Sequence, residues 1–438
     1  MKLPSVTPTR IALVTTAALA SVVIGGAAWL LKWLIRFISE IVTSGFNYAG
    51  GNWYFILTAL TGILIVGFLV RRVVRAPMEH ATELLKQHLK EKNGNLPLKM
   101  SIYPIIMSAL TLGAGGSAGA EAPIALAGGA IGSNIARFFR LDREGLRIFM
   151  ACGAGAGIAA IFKSPVGGMF FAIELLRMQA KVGPLLMLGA MCVIADLTEL
   201  ALTGFTPDIT PPGGMLIFEW PMLIPSIFLG IAGGAYSAYY LRTARATRRW
   251  LEKIKRPIVR NIASGLGIGI SVAMFPALFS EGYRVLAQLA ADNVSAASTG
   301  SIATALGNNW APIAGLTGIL LLKGFASSST NSGGGVAGEF TPTLFAGGVL
   351  GALFHVAFPG TMPMPAAIIC GMAAGMSGII RAPLMSIFIV TEMTQTPGLM
   401  LPVCTCVVMS LFVSKLLTRP EGPHPHNLSL INRATPRK

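Results

Sequence analysis

The chain has 438 residues, of which 53% are hydrophobic and only 12% are charged. Soluble domains carry about 25% charged residues, so the composition excludes an ordinary soluble protein and indicates a chain that crosses a membrane several times. The formal net charge is +16, but nucleic acid is not an expected partner, because the Lys and Arg residues lie in loops and near the chain ends. Such residues mark the cytoplasmic side of a membrane, so residues 1–10 and 431–438 are both predicted to be cytoplasmic.

Seven apolar stretches approach the roughly 20 residues that a membrane-spanning helix needs. In chain order they are residues 11–31, 54–70, 182–202, 223–241, 258–279, 311–323 with its flanks, and 399–417. The first stretch follows basic residues, as in a signal peptide, but it is longer than a signal core and lacks a clear cleavage site. It is therefore predicted to remain as a helix. Other apolar segments are short and broken by Gly and Pro.

No metal, disulfide or organic cofactor is expected. The five cysteines lie in apolar stretches without a C-x-x-C pair, which is typical of small buried side chains: Cys152, Cys192, Cys370, Cys404 and Cys406. The loop histidines also lack the spacing of metal ligands: His80, His88, His424 and His426.

Two pairs of segments repeat along the chain. "GAEAPIALAGGAIG" at 119–132 matches "GEFTPTLFAGGVLG" at 338–351 in six of 14 positions. "GIAAIFKSPVGGMFFAIE" at 157–174 matches "GMSGIIRAPLMSIFIVTE" at 375–392, with nearly the same offset along the chain. Two matches in order at one offset indicate a tandem duplication. The predicted units are a first membrane repeat at 11–210 and a second at 215–430.

The paired Gly-Pro segments predict a binding site. Pro is favoured in the first turn of a helix, so helices should begin near Ala122 and Thr341, around Pro123 and Pro342. Helix starts offer unpaired N–H groups and a partial positive charge. Broken helices at corresponding places in two repeats point to a site near the membrane midplane. The surrounding Gly and Ala therefore predict a site for a small anion that contains no full positive charge.

Glu121 is a single carboxylate within one of these Gly- and Ala-rich segments. An intramembrane carboxylate is a candidate functional group. Beside a helix start it would act as a tethered anion, which occupies the site and leaves when it is protonated or displaced. The alternative is that Glu121 only caps its helix.

These motifs resemble the CLC family of chloride channels and proton/chloride exchangers along nearly the whole chain. "GAEAP" (119–123) is similar to the family motif whose Glu is the external gate, and "GEFTP" (338–342) is similar to a second anion-site motif. The resemblance implies an all-α polytopic membrane protein, built as an inverted-repeat duplication with broken, tilted helices. It implies one anion path per subunit and a homodimer that associates through 166–203 and 384–412. It also implies a central ion held by backbone N–H groups of Glu339 and Phe340. The full set of anion-binding candidates is Gly119, Ala120, Ala122, Pro123, Gly338, Glu339, Phe340, Thr341 and Asn427.

The chain departs from the family pattern at several of these places. "VVRAPMEH" at 73–80 has no pore serine, although Pro77 would keep a helix start. Leu175 stands where exchangers often carry a second, inner proton-accepting Glu, and Asn427 is the best match to a pore Tyr. Ala120 and Ala122 replace Lys or Arg and Gly around the gate. Glu339 occupies a position that is usually apolar.

The predicted function is permeation of a small monovalent anion, with chloride as the expected ion and Glu121 as the gate, through a channel or a weakly proton-coupled transporter in the cell membrane. Alternatives within the family are a proton-coupled chloride antiporter and a fluoride antiporter. The alternative from another class is an inverted-repeat solute symporter, although such a transporter should need more side-chain donors.

A nucleophile-like G-x-S-x-G pattern surrounds Ser117, with His355 as its one candidate base. It leaves the duplication unexplained, and no enzyme activity is expected.

Overall fold

The computed structural model describes residues 10–44, 52–75, 81–90, 94–179, 181–205 and 216–418. Pro77, Asn427 and the predicted boundary between the repeats lie outside these residues. The first part of the described chain forms eight α-helices: α1 (Arg10–Thr43), α2 (Tyr54–Leu69), α3 (Ala81–Lys90), α4 (Tyr103–Gly113), α5 (Glu121–Phe138), α6 (Arg143–Phe162), α7 (Pro165–Phe170) and α8 (Val182–Thr203).

The second part forms eight more: α9 (Leu223–Glu252), α10 (Pro257–Met274), α11 (Tyr283–Ala290), α12 (Gly307–Ser332), α13 (Phe340–Ala357), α14 (Met364–Ile380), α15 (Pro383–Met393) and α16 (Met400–Leu417). Among the described residues, nine helical segments are long and apolar enough to cross a membrane. The structure is therefore that of an all-α, multi-pass membrane protein, as the sequence predicts.

The predicted apolar stretches fall on α1, α2, α8, α9, α10, α12 and α16, but some of the predicted bounds are wrong. Helix α10 ends at Met274 rather than near 279, because Phe275 precedes Pro276 and takes an extended conformation. Helices α6 and α13 are also long and apolar enough to cross a membrane. Both helices lie in Gly- and Ala-rich segments, which the sequence analysis did not count among the seven apolar stretches.

Glycine allows the helices at the centre of the protein to approach closely. A Cβ atom on Gly128 of α5 would overlap the carbonyl oxygen of Gly153 of α6. In the second part of the chain, a Cβ atom on Gly347 of α13 would overlap the carbonyl oxygen of Gly371 of α14. Small residues at helix interfaces are the usual means of tight packing in membranes. The A-G-G runs of the sequence therefore hold α5 and α13 firmly against their neighbours.

Helices α7 and α15 cap each other. Glu392, near the end of α15, accepts hydrogen bonds from the N–H groups of Val166 (3.0 Å) and Gly167 (3.1 Å) at the start of α7. Glu174, in the π-helical turn that continues α7, accepts from the N–H groups of Leu384 (3.2 Å) and Met385 (2.9 Å) at the start of α15. A carboxylate is stabilised at a helix start by the unpaired donors and the helix dipole. This exchange of caps joins the two parts of the chain.

The segments that precede α5 and α13 form a two-residue antiparallel bridge. The N–H of Gly119 donates to the carbonyl of Gly338 (3.1 Å), and the N–H of Gly338 donates to the carbonyl of Gly119 (2.6 Å). These bonds satisfy buried backbone groups that have no helix to pair with. They also bring the starts of α5 and α13 together in the protein interior.

Candidate anion-binding site

The two Pro residues mark the helix starts to within one residue. Helix α5 begins at Glu121 and α13 at Phe340, each one position before the residue predicted from the sequence. Pro123 and Pro342 are the third residues of their helices, where the missing N–H breaks no helical hydrogen bond. The first turns of both helices are buried, so their donor groups face protein or a ligand rather than bulk solvent.

The carboxylate of Glu121 lies on the first turn of α13. Its Oε1 accepts hydrogen bonds from the N–H of Phe340 and from the N–H of Thr341 (3.3 Å), and its Oε2 accepts from the hydroxyl of Thr341 (2.9 Å). The side chain is only 1% exposed. A negative group here gains from both the amide donors and the positive end of the helix dipole. The carboxylate thus occupies a position suited to a small anion.

Residues proposed as anion ligands divide into two groups in the structure. Phe340 and Thr341 donate to the Glu121 carboxylate, whereas the N–H groups of Gly119 and Gly338 are used by the bridge between the two segments. Ala122 and Pro123 lie in the first turn of α5. The donors to Glu121 at α13 are thus the N–H groups of Phe340 and Thr341, and the predicted contact of the Glu339 and Phe340 N–H groups with an ion stays a prediction.

Glu339 and Leu175 also have defined positions. Glu339 directly precedes α13 and its side chain is exposed, so its carboxylate does not share the buried position of Glu121. Leu175 ends the π-helical turn after α7 and packs, half-buried, against the hydrophobic core. Its neighbour Glu174 caps α15. Leu175 itself has no group that could carry a proton.

A tyrosine that no motif pointed to extends the hydrogen-bond network. The hydroxyl of Tyr283, the first residue of α11, lies 3.1 Å from the hydroxyl oxygen of Thr341. Because the Thr341 hydroxyl donates to Glu121, the same oxygen is free to accept from Tyr283. The three residues thus form a chain of hydrogen bonds that ends on the Glu121 carboxylate. The contact between Tyr283 and Thr341 depends on the packing of α11 beside α13, which no sequence motif indicates.

A buried lysine lies close to the site, although the sequence analysis expected a site without a full positive charge. Lys323 of α12 is completely buried, and its Nζ donates to the hydroxyl of Ser117 (2.9 Å). The Nζ also lies 4.7 Å from the centre of the Phe345 ring, in cation–π range. The carboxylates of Glu281 and Glu121 both act electrostatically on this ammonium group. Lys323 stands far along the chain from the Gly-rich segments, so their composition gave no sign of it.

The nucleophile-like pattern around Ser117 has a structural explanation. The Ser117 hydroxyl is a partner of Lys323, and the Ser117 N–H donates to the hydroxyl of Thr330 (3.1 Å). His355 lies near the end of α13, where its Nδ1 is 2.9 Å from the carbonyl of Met362. The described residues show no hydrogen bond between Ser117 and a histidine, which a serine hydrolase needs.

The fold and the site define a class of protein: a multi-pass, all-α membrane protein in which a buried carboxylate occupies a helix start. Residues 62–415 match the family model described as Voltage gated chloride channel. The chain therefore belongs to this family, the CLC channels and transporters. Membership makes it an anion-transport protein of a membrane and not an enzyme.

The family includes relatives with different transport modes. The voltage-gated ClC-type chloride channel ClcB of Salmonella typhi is 27% identical over 422 residues, which cover 90% of this chain and 92% of the relative. The H(+)/Cl(-) exchange transporter ClcA of Salmonella paratyphi A is 29% identical over 327 residues, which cover 71% of this chain and 65% of the transporter. The crystal structure of a slow cyanobacterial Cl-/H+ antiporter superposes with a TM-score of 0.75 at 23% identity and covers 98% of both chains. That similarity establishes the fold.

Proposed function

We propose that the chain carries chloride or a similar small monovalent anion across the cell membrane, with Glu121 as the gate of the path. The observation that carries this proposal is the position of the Glu121 carboxylate on the first turn of α13. A carboxylate oxygen and a halide ion carry the same charge and accept the same N–H and O–H donors. The chloride channel and chloride exchanger among the relatives support chloride as the expected ion.

Opening would exchange one anion for another. When Glu121 is protonated, or when an incoming anion competes with it, the donors of Phe340 and Thr341 become available to the ion. A hydrogen bond to a charged group contributes about 1.5–3 kcal/mol, so a few such bonds hold an ion without trapping it. In the closed state the Thr341 hydroxyl lies within hydrogen-bond distance of Tyr283.

The residues that follow α7, Glu174 and Leu175, favour a channel or weakly proton-coupled transport. Leu175 cannot exchange a proton, and Glu174 is held by two amides at the start of α15. These two hydrogen bonds fix the Glu174 carboxylate at the start of α15. Neither residue is therefore suited to relay protons from the inner face to Glu121.

The same proposal includes the assembly and orientation of the chain. We take residues 11–210 and 215–430 as two membrane repeats of inverted topology, with both chain ends in the cytoplasm. Large apolar side chains are exposed along 166–203 and 384–412, among them Leu186, Leu197 and Phe412. Such side chains suit a contact with a second copy within the bilayer, so these two segments are the proposed homodimer interface.

Liposome flux measurements test the proposed function. Purified protein is reconstituted in liposomes loaded with chloride or fluoride, and ion-selective electrodes follow release after a potassium ionophore is added. We expect chloride release well above that of protein-free liposomes, and slower release of fluoride. Absence of chloride release would contradict the proposal, and faster release of fluoride would favour the alternative of a fluoride transporter.

A further inference from the structure

The start of α5 also carries a carboxylate from elsewhere in the chain. The N–H of Ala120, the residue that precedes α5, donates to Oε1 of Glu281 (3.3 Å). The start of α13 is occupied by Glu121, which accepts hydrogen bonds from Phe340 and Thr341 within the first turn. The two helix starts that the bridge brings together thus each hold one carboxylate, although only Glu121 belongs to a repeated motif.

The segment that bears Glu281 is fixed against the site. Glu281 lies between Ser280 and Gly282, whose φ angles of 58° and 85° both fall in the left-handed region. Gly282 packs so closely on the Phe345 ring that a Cβ atom there would overlap it. The next residue, Tyr283, reaches Thr341 and through it Glu121. One short turn therefore positions a carboxylate at α5 and a hydroxyl at α13.

Lys323 contacts the same Phe345 ring, with its Nζ 4.7 Å from the ring centre. It is fully buried, and the Ser117 hydroxyl is the one hydrogen-bond acceptor that the described residues give its three N–H donors. A buried ammonium with so few acceptors needs negative charge nearby. Glu281 and Glu121 both act on it electrostatically. The closed site thus places one lysine near two carboxylates.

We propose that Glu281 is a second gating carboxylate, which occupies the start of α5 as Glu121 occupies the start of α13, and that Lys323 balances its charge. This inference rests on the proposed anion transport. Glu281 is half-buried whereas Glu121 is almost completely buried, so Glu281 has a path towards solvent. When an anion replaces the Glu281 carboxylate at the Ala120 N–H, one negative group is exchanged for another near Lys323. Without Lys323, the incoming ion would be repelled by the carboxylates that remain.

The first test removes the competing carboxylate. Calorimetric titration of chloride into the full chain in detergent should show affinity about tenfold higher for Glu281→Ala than for wild type, because the binding-competent fraction is no longer limited by Glu281. Chloride release from liposomes should also become faster. Asp292→Asn is the matched control, because it removes an exposed carboxylate just after α11 and should bind chloride as wild type does.

Two outcomes would overturn the inference in different ways. If Glu281→Ala binds and releases chloride as Asp292→Asn does while Glu121→Gln still alters flux, Glu281 is not a gate and the proposed function stands. If wild-type liposomes release no anion, both the proposed function and the inference that rests on it fail.

The second test concerns the charge balance. Lys323→Met leaves two carboxylates without their cation, so chloride flux should fall about tenfold. Adding Glu281→Gln to Lys323→Met removes one of the two negative charges and should restore most of the flux. A purely structural role of Lys323 would give no such rescue, and a double variant as slow as Lys323→Met would overturn the assigned role. The Glu281→Ala titration decides the gate by itself if Lys323→Met does not fold.

Discussion

Glu121 and Phe340 stand at equivalent positions in the two aligned segments, and the carboxylate of the first accepts a hydrogen bond from the N–H of the second. The two α-helices that begin at these residues are therefore not independent. A side chain from the start of α5 fills the position that the start of α13 offers to an anion. Of the two aligned segments, one supplies the donors and the other supplies the group that occupies them.

The first prediction concerns Glu121. In Glu121→Gln, an amide replaces the carboxylate and has the neutral charge of a protonated carboxyl group. We expect flux of chloride from liposomes to be constant between about pH 4 and pH 7, a range in which carboxyl groups ionise in proteins, whereas wild-type flux should rise on acidification. Chloride electrode recordings across this range measure it. Steep acid activation in the variant would mean that another group controls opening.

The second prediction concerns the hydroxyl of Thr341. Thr341→Val keeps the shape of the side chain and removes the donor to Oε2 of Glu121. The closed position should lose about 1.5–3 kcal/mol, the usual contribution of a hydrogen bond to a charged group. Chloride flux near neutral pH should therefore increase. Thr341→Ser is the matched control, since it retains the hydroxyl and should behave as wild type. Equal flux in the two variants would show that the hydroxyl does not hold the gate.

The sequence predicted the helix starts well because Pro and Gly impose local geometry. Pro123 and Pro342 can be accommodated in a first turn and not in a helix interior, so the starts at Glu121 and Phe340 differ from the prediction by one residue. The repeated offset also showed that the two segments correspond. Their pairing through Gly119 and Gly338 required the structure, because no residue pattern specifies a two-residue bridge.

The remainder of the site could not be predicted from the sequence. Tyr283, Glu281 and Lys323 belong to segments without a recognisable motif, and they reach the site only when α11 and α12 pack against α13. A Lys in a long apolar stretch is compatible with a helix end near the membrane surface, where its amine would be hydrated. Burial of Lys323 is a consequence of tertiary packing, which composition and periodicity do not report.

The third prediction ranks the contributions to stability of the two carboxylates that cap α7 and α15. Glu392 is held by three donors at the start of α7, the N–H groups of Val166 and Gly167 and the hydroxyl of Ser164. Replacing a charged acceptor in such a position should cost about 1–3 kcal/mol, so Glu392→Gln should lower the Tm measured in detergent. Glu174→Gln is the matched comparison, because Glu174 accepts from only two donors and one of them belongs to Leu384, whose side chain is exposed. Its loss of stability should be smaller, and a larger loss would contradict the ranking.

The last prediction concerns proton coupling. Leu175 offers no carboxylate, and moving a bare charge past apolar side chains in a low-dielectric interior costs several kcal/mol. Glu174 is engaged as a cap, so the described structure provides no evident relay from this end of α7 to Glu121. We therefore expect liposomes with an outward chloride gradient to release chloride without moving protons uphill, as followed by an internal pH dye. Protein-free liposomes and liposomes with a proton ionophore give the two reference signals.

A reversal potential displaced from the chloride value towards a fixed exchange ratio would contradict this expectation. Glu339 would then be the first residue to replace, because its exposed carboxylate directly precedes the helix start that holds Glu121.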